Sequence, residues 1–273
     1  MSTVKRTPLR LLRVVKIQDL SPHLRRIVLT GESLHDFPIN CLGAHIKLML
    51  PQAHQSDPVL PTLNGDKIVW PEPHLKPILR TYTVAAFDPV LNLLSVDFVM
   101  HGDNGPASKW AHHAEVGSSI GLAGPGGPDL FQANADWFVL AGDLSALAAI
   151  RAVLSQLPKD ARGYTFIEVD NLLEHQSLPH PTHMHISWLN RKHSPAGRSQ
   201  LLLQAIQNMP WLEGQASVTI AGESAQVVLI RDYLRMDKNI SRDMMYAVPY
   251  WKDEQTEEEY HQERHRIMDE LEA

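Results

Sequence analysis

The stretch GLAGPGGPDLF, Gly121–Phe131, carries four glycines and two prolines in eleven residues. No regular element runs through such a stretch, so it divides the chain into two parts that fold by different rules. Before it lie short apolar runs separated by turn residues: Leu9–Ile17, Leu24–Leu29, Ala44–Leu50, Arg80–Phe87, Leu93–Met100 and Ser118–Leu122. Six such strands without a long helix predict a small antiparallel barrel. Pro51–Leu79 between the third and fourth is rich in proline and reads as a long loop over the barrel rim. After the boundary, WFVLAGD (Trp137–Asp143) is an unbroken apolar run of parallel-strand type. A helical pattern follows, with Leu147, Ile150, Leu154 and Leu157 on one face. Then come YTFIEVD, HISWLN, a helix near Ser199–Asn208, SVTIAGE and a helix near Ala225–Met236. Strands alternating with helices predict a parallel α/β sheet. The expected domains are therefore a β-barrel over 1–125, an α/β domain over 134–252 and an acidic C-terminal helix over 253–273.

Charge is distributed unevenly. Of the net −6, the segment from Asp253 onward carries −7, from nine acids and two arginines, and the remainder is close to neutral. Neither part has the basic stripe of a nucleic-acid binder. In the tail, Thr256 and Glu259 have the spacing of a capping box, and Tyr260, Ile267, Met268 and Leu271 share one side of a helix. No apolar run reaches the ~20 residues of a membrane helix. The N-terminus lacks the apolar core of a signal peptide, so a cytoplasmic location is expected. The single cysteine, Cys41, excludes an internal disulfide and a four-thiolate iron–sulfur cluster. If the protein moves electrons, a bound organic cofactor must carry them.

One motif points to such a cofactor. In HGDNGPASKWA, His101–Ala111, Gly105 leaves the backbone uncrowded and Pro106 suits the first position of a helix. The N–H groups of Ala107 and Ser108 would point out of that helix start, where the dipole favours an anion. Ser108, Lys109 and Trp110 add a hydroxyl, a charge and a flat wall. The pattern suits a phosphate joined to a planar group.

Together, RTYTVAAF, VDFVMHGDNGPASKWA, AGDLSALAAI, AHIKLMLP, AGES and YWK occur in an order that resembles the siderophore-interacting proteins, FAD-dependent ferric-siderophore reductases of the ferredoxin-reductase-like superfamily. The resemblance runs to about Trp251. It implies bound FAD held by Arg80, Tyr82, Thr83, Asp97, Val99, His101, Ala107, Ser108 and Trp110. In the second domain it implies NADH or NADPH near Asp143, Ser145 and Glu223, with Arg191 (beside Trp188 and Lys192) reading a 2′-phosphate. It also implies a cationic rim of Lys47, Arg242 and Lys252 for an anionic ferric siderophore of catecholate type.

The sequence departs from the family where YWKDEQ has Glu254 in place of a glycine, and in its long acidic tail, which could shield the nicotinamide site. A ferredoxin is therefore a second candidate donor. No residue is expected to act as an acid or base on iron, so none is assigned as catalytic. His175, His180, His183 and His185 cluster in sequence, and His261 and His265 lie one turn apart. Their spacing does not match a zinc motif, and no metal site is expected. The expected activity is flavin-dependent reduction of siderophore-bound Fe³⁺ to Fe²⁺ by a monomer. The alternatives are a flavodoxin or ferredoxin reductase and a non-catalytic siderophore binder.

Overall fold

A computed structural model describes residues 9–65, 67–256, 259, 260, 263, 266 and 267. The chain forms two compact units that meet in sequence between Pro128 and Asp129.

In the first unit, β1 (Arg10–Ser21) and β2 (Leu24–Thr30) form a hairpin, followed by β3 (His45–Leu50). The proline-rich segment was expected to be a plain loop. It instead holds an exposed two-stranded hairpin of β4 (Thr62–Asn64) and β5 (Lys67–Val69), with Pro58 and Pro61 buried beside it. Then come β6 (Ile78–Asp88), β7 (Leu93–Val99), α1 (Pro106–His113) and β8 (Ser119–Gly126). The six long strands close a barrel in the order β1-β2-β7-β6-β3-β8, every pairing antiparallel. Alternation along the strands fills it: Leu12 and Val14 point inward from β1, and Leu94, Val96 and Phe98 from β7, none more than 1 % exposed. Each such side chain contributes roughly 1.5–3 kcal/mol by leaving water. Ala107 and Ala111 bring α1 into the same core.

The second unit is a five-stranded parallel sheet in the order β11-β10-β9-β12-β13. Its strands are β9 (Trp137–Gly142), β10 (Arg162–Val169), β11 (His183–Asn190), β12 (Ala216–Glu223) and β13 (Met245–Trp251). The helices are α2 (Leu147–Gln156), α3 (Leu201–Asn208) and α4 (Ser224–Met236). Every residue of β9 and β12 is buried, as the continuous apolar runs required. The edge strand β13 has no counterpart among the expected strands, because Pro249 interrupts its pattern. Glu259, Tyr260, Glu263, Arg266 and Ile267 are helical, with Tyr260 and Ile267 buried. The Thr256–Glu259 capping box is formed: the Thr256 N–H reaches Glu259 at 2.8 Å and the Glu259 N–H returns to the Thr256 hydroxyl at 3.3 Å. Met268, Leu271, His261 and His265 lie outside the described residues. Among those described, no helix is long and apolar enough to cross a membrane.

Candidate functional site

In the barrel, the chemistry gathers on β6, β7 and the start of α1. Gly105 caps α1 at φ 92°, a conformation that strains any other residue, and a Cβ there would sit 3.2 Å from the His101 ring. No side chain caps this helix start and no acid occupies its first turn. The positive end of the dipole is thus open to an anion.

The Ser108 hydroxyl faces inward rather than toward the helix mouth. It donates to the Gly102 carbonyl at 2.7 Å and accepts from the His101 N–H at 3.0 Å. Its part is to fold the 101–105 loop back over the helix, leaving the backbone to meet a ligand. On β6, Arg80 and Tyr82 are half-buried and Thr83 is buried. The rings of Tyr82 and Phe98 lie 4.5 Å apart and those of Phe98 and Trp110 5.7 Å apart, giving a continuous aromatic wall. Val99 ends β7 opposite Leu24.

Asp97, expected at the cofactor, is ion-paired across strands. Both carboxylate oxygens accept from Arg26 on β2, at 2.7 and 2.9 Å. This part-buried pair links the two strands at facing positions of their register. Burial lowers the His101 imidazole below its usual value and raises the Cys41 thiol to about 11, so Cys41 offers no thiolate at neutral pH. An uncapped helix start, a guanidinium and an aromatic wall suit a flavin nucleotide, with its phosphates and its planar ring. The residues present fit FAD.

In the second unit, the carboxyl ends of the strands carry buried acids that are already engaged. One Asp143 oxygen accepts from the Ser145 N–H at 2.8 Å and from its hydroxyl at 2.5 Å. The other accepts from the Glu223 N–H at 3.0 Å and the Trp251 indole N–H at 2.8 Å. Gly222 makes room for this: at φ 130°, its Cβ would fall 2.6 Å from that second oxygen. Asp143 therefore ties together the ends of β9, β12 and β13.

Glu168, fully buried on β10, accepts from the Ser199 hydroxyl at 2.5 Å and the Gln226 amide at 3.0 Å. Glu223 accepts from the Gln226 N–H at 3.1 Å and the Asp253 N–H at 3.3 Å. Burial is the main force raising the carboxyls of Glu168 and Glu223, and the charge on Asp143 adds to it.

Arg191 meets Glu168 at 3.7 Å and Asp170 at 3.4 Å, so acids of its own domain take up the charge expected to read a 2′-phosphate. From the tail, the Tyr260 hydroxyl donates to Ser224, the first residue of α4, at 2.8 Å. Lys252 pairs with Glu263 at 2.6 Å and lies over the Tyr260 ring. Of the other expected cations, Lys47 is exposed on β3 and donates to the Thr81 hydroxyl, and Arg242 is exposed before β13. The loop histidines stay apart. His175 lies against Trp188, His185 stacks on Tyr164, and His180 bonds the Leu178 carbonyl.

A closed antiparallel barrel with a phosphate-ready helix start, followed in the chain by a parallel nucleotide-type sheet, defines a flavin-dependent oxidoreductase of ferredoxin-reductase-like fold. Solved structures of low identity share that fold, among them a ferredoxin reductase of carbazole 1,9a-dioxygenase at 15 % identity and TM-score 0.64, covering 89 % of this chain and 69 % of that one. Residues 13–129 match the siderophore-interacting FAD-binding domain and residues 135–254 the siderophore-interacting protein domain. The chain belongs to the siderophore-interacting protein family and is an FAD-binding oxidoreductase.

It is 44 % identical over 98 % of both chains to a Vibrio cholerae protein named ferric vibriobactin reductase. It is 32 % identical to the Escherichia coli NADPH-dependent ferric-chelate reductase, over 77 % of this chain and 83 % of that one. The structure of the siderophore-interacting protein SipS from Aeromonas hydrophila superposes with a TM-score of 0.85 at 39 % identity, covering 96 % of this chain and 99 % of that one.

Proposed function

We propose that this protein reduces Fe³⁺ held in an anionic, catecholate-type siderophore and so releases Fe²⁺. The observation that carries the reading is the barrel's uncapped helix start beside the Tyr82–Phe98–Trp110 wall, in a chain so similar to a ferric vibriobactin reductase. Arg80 would neutralise cofactor phosphate, together with the backbone at Ala107 and Ser108. Tyr82, Thr83 and Val99 would face the ring system, and His101 and Trp110 would close its sides. Asp97 would act at one remove, by fixing Arg26. When bound, FAD would accept electrons singly or in pairs and supply them one at a time to a metal acceptor. Lys47 on the barrel and Arg242 on the second unit are exposed cations that would each attract the siderophore's negative charge from a distance, and Lys252 would do so only on leaving Glu263. Hard oxygen chelators hold Fe³⁺ more tightly than Fe²⁺, so reduction itself loosens the complex.

For the donor, the second unit favours a ferredoxin-type carrier over NADPH. The strand ends where a pyrophosphate would sit hold Asp143, Glu168 and Glu223, Arg191 is ion-paired, and Tyr260 of the tail lies on Ser224. The E. coli relative is named for NADPH, so this reading separates the two proteins.

The test is to reduce the flavoprotein anaerobically, mix it with a ferric catecholate siderophore and follow flavin re-oxidation beside an Fe²⁺-trapping dye. Re-oxidation with matching Fe²⁺ is the expected result. A flavin that stays reduced sinks the siderophore reading and favours a protein acceptor.

A further inference from the structure

We infer that Asp103, His112 and His113 form a surface site on the barrel unit for one divalent first-row transition-metal ion. The two histidines end α1, and Asp103 lies in the loop that precedes it. The ligand atoms of all three lie within 4.8 Å of one another. His112 Nδ1 is 3.2 Å from Asp103 Oδ1, and His113 Nε2 is 3.3 Å from the same oxygen and 3.4 Å from Oδ2.

These spacings differ from those of an ordinary histidine–carboxylate pair in the same protein, His193 with Asp170 at 2.7 Å. Two bonds of about 2.1 Å meeting at a tetrahedral ion put their ligand atoms about 3.4 Å apart. Both histidine–carboxylate spacings lie near that value, and the third pair of ligand atoms lies within 4.8 Å. Two imidazoles and one carboxylate, with the remaining positions open to water, suit Fe²⁺, Co²⁺ or Zn²⁺ and not Mg²⁺ or Ca²⁺.

Two further features favour a cation. The carbonyl end of α1 is the negative end of its dipole. Asp103 supplies a carboxylate beside the two imidazoles. Lys109 on the same helix acts on Asp103 and, with the full exposure of the site, keeps affinity below that of a buried centre. Fe²⁺, the ion that the proposed reaction releases, belongs to the class this site accepts. That link rests on the reductase reading, whereas the metal binding does not.

Metal-free, flavin-loaded protein is titrated with Co²⁺ and its d–d absorption is recorded. One equivalent is expected to bind, weakened roughly tenfold or more in Asp103→Asn and in a His112→Gln/His113→Gln variant. Flavin content should remain unchanged in the His112→Gln/His113→Gln variant, because both residues lie in the last turn of α1, at the opposite end from the cofactor loop. A His183→Gln/His185→Gln variant should bind Co²⁺ as the parent does. Unchanged affinity in the first two variants, or binding lost in the third, overturns the site. Excess Fe²⁺ added without oxygen should displace Co²⁺. Failure to do so removes the product-ion assignment even if the reductase assay succeeds, and failure of that assay alone leaves the Co²⁺ site standing.

Discussion

The two units treat polar groups in opposite ways. In the barrel, the helix start at Gly105–Pro106 has no side-chain cap and no acid in its first turn, and an aromatic wall includes Trp110 of the same helix. In the second unit, the corresponding resource of a parallel sheet, its carboxyl strand ends, is taken up by internal bonds from Asp143, Glu168 and Glu223. In a fold that commonly binds a nucleotide at such strand ends, these three acids also act as ties between neighbouring elements.

The largest expected effect comes from breaking the ties. Asp143→Ala strands four donors, and each buried donor left without a partner costs about 1–3 kcal/mol. Loss of roughly 3 kcal/mol or more is expected in denaturant unfolding of the second unit, with FAD still bound by the barrel. Equal loss of flavin would erase the distinction between the units.

Next is Arg80→Ala, which removes the proposed phosphate partner. A charge-assisted hydrogen bond is worth about 1.5–3 kcal/mol, so FAD affinity should fall roughly 10- to 100-fold by fluorescence titration while the melting of the second unit stays put. Truncation after Gln255 should raise NADPH-driven flavin reduction several-fold by uncovering Ser224. An unchanged rate would show that the acids, and not the tail, oppose the nucleotide.

The smallest effect concerns pH. Burial raises the Glu168 carboxyl in the folded state. Its contribution to stability is then full below the unfolded carboxyl value and is lost as pH rises through the folded one. Glu168→Gln should therefore match or exceed the parent in stability at pH 7 and lose that standing near pH 4, as seen by urea unfolding at the two pH values.

Much of the fold was legible because strand and helix periods are local. The barrel strands and β9, β10 and β12 lie within a few residues of where alternation and apolar runs put them. Strand β13 was hidden by Pro249, and the β4–β5 hairpin by a proline-rich, fully exposed setting. The flavin motif was legible because its glycine, proline and small residues act through backbone geometry nearby. What alternation cannot show is where a side chain spends its hydrogen bonds. Asp97 meets Arg26 from 71 residues away, and Gln226 reaches Glu168 across 58. The Asp103–His112–His113 group follows no helical spacing, since a loop and a helix end must fold together before it exists.

The bond from Trp251 to Asp143 has a bearing on how the molecule is made. It spans 108 residues, so the turn after β9 stays incomplete until nearly the whole chain has left the ribosome. The barrel's strand pairings are complete with β8, which pairs with β1 and β3 and ends at Gly126. Domains generally fold as units during synthesis, the amino-terminal one first, and every strand of the barrel is available to pair before the first strand of the other unit has been made.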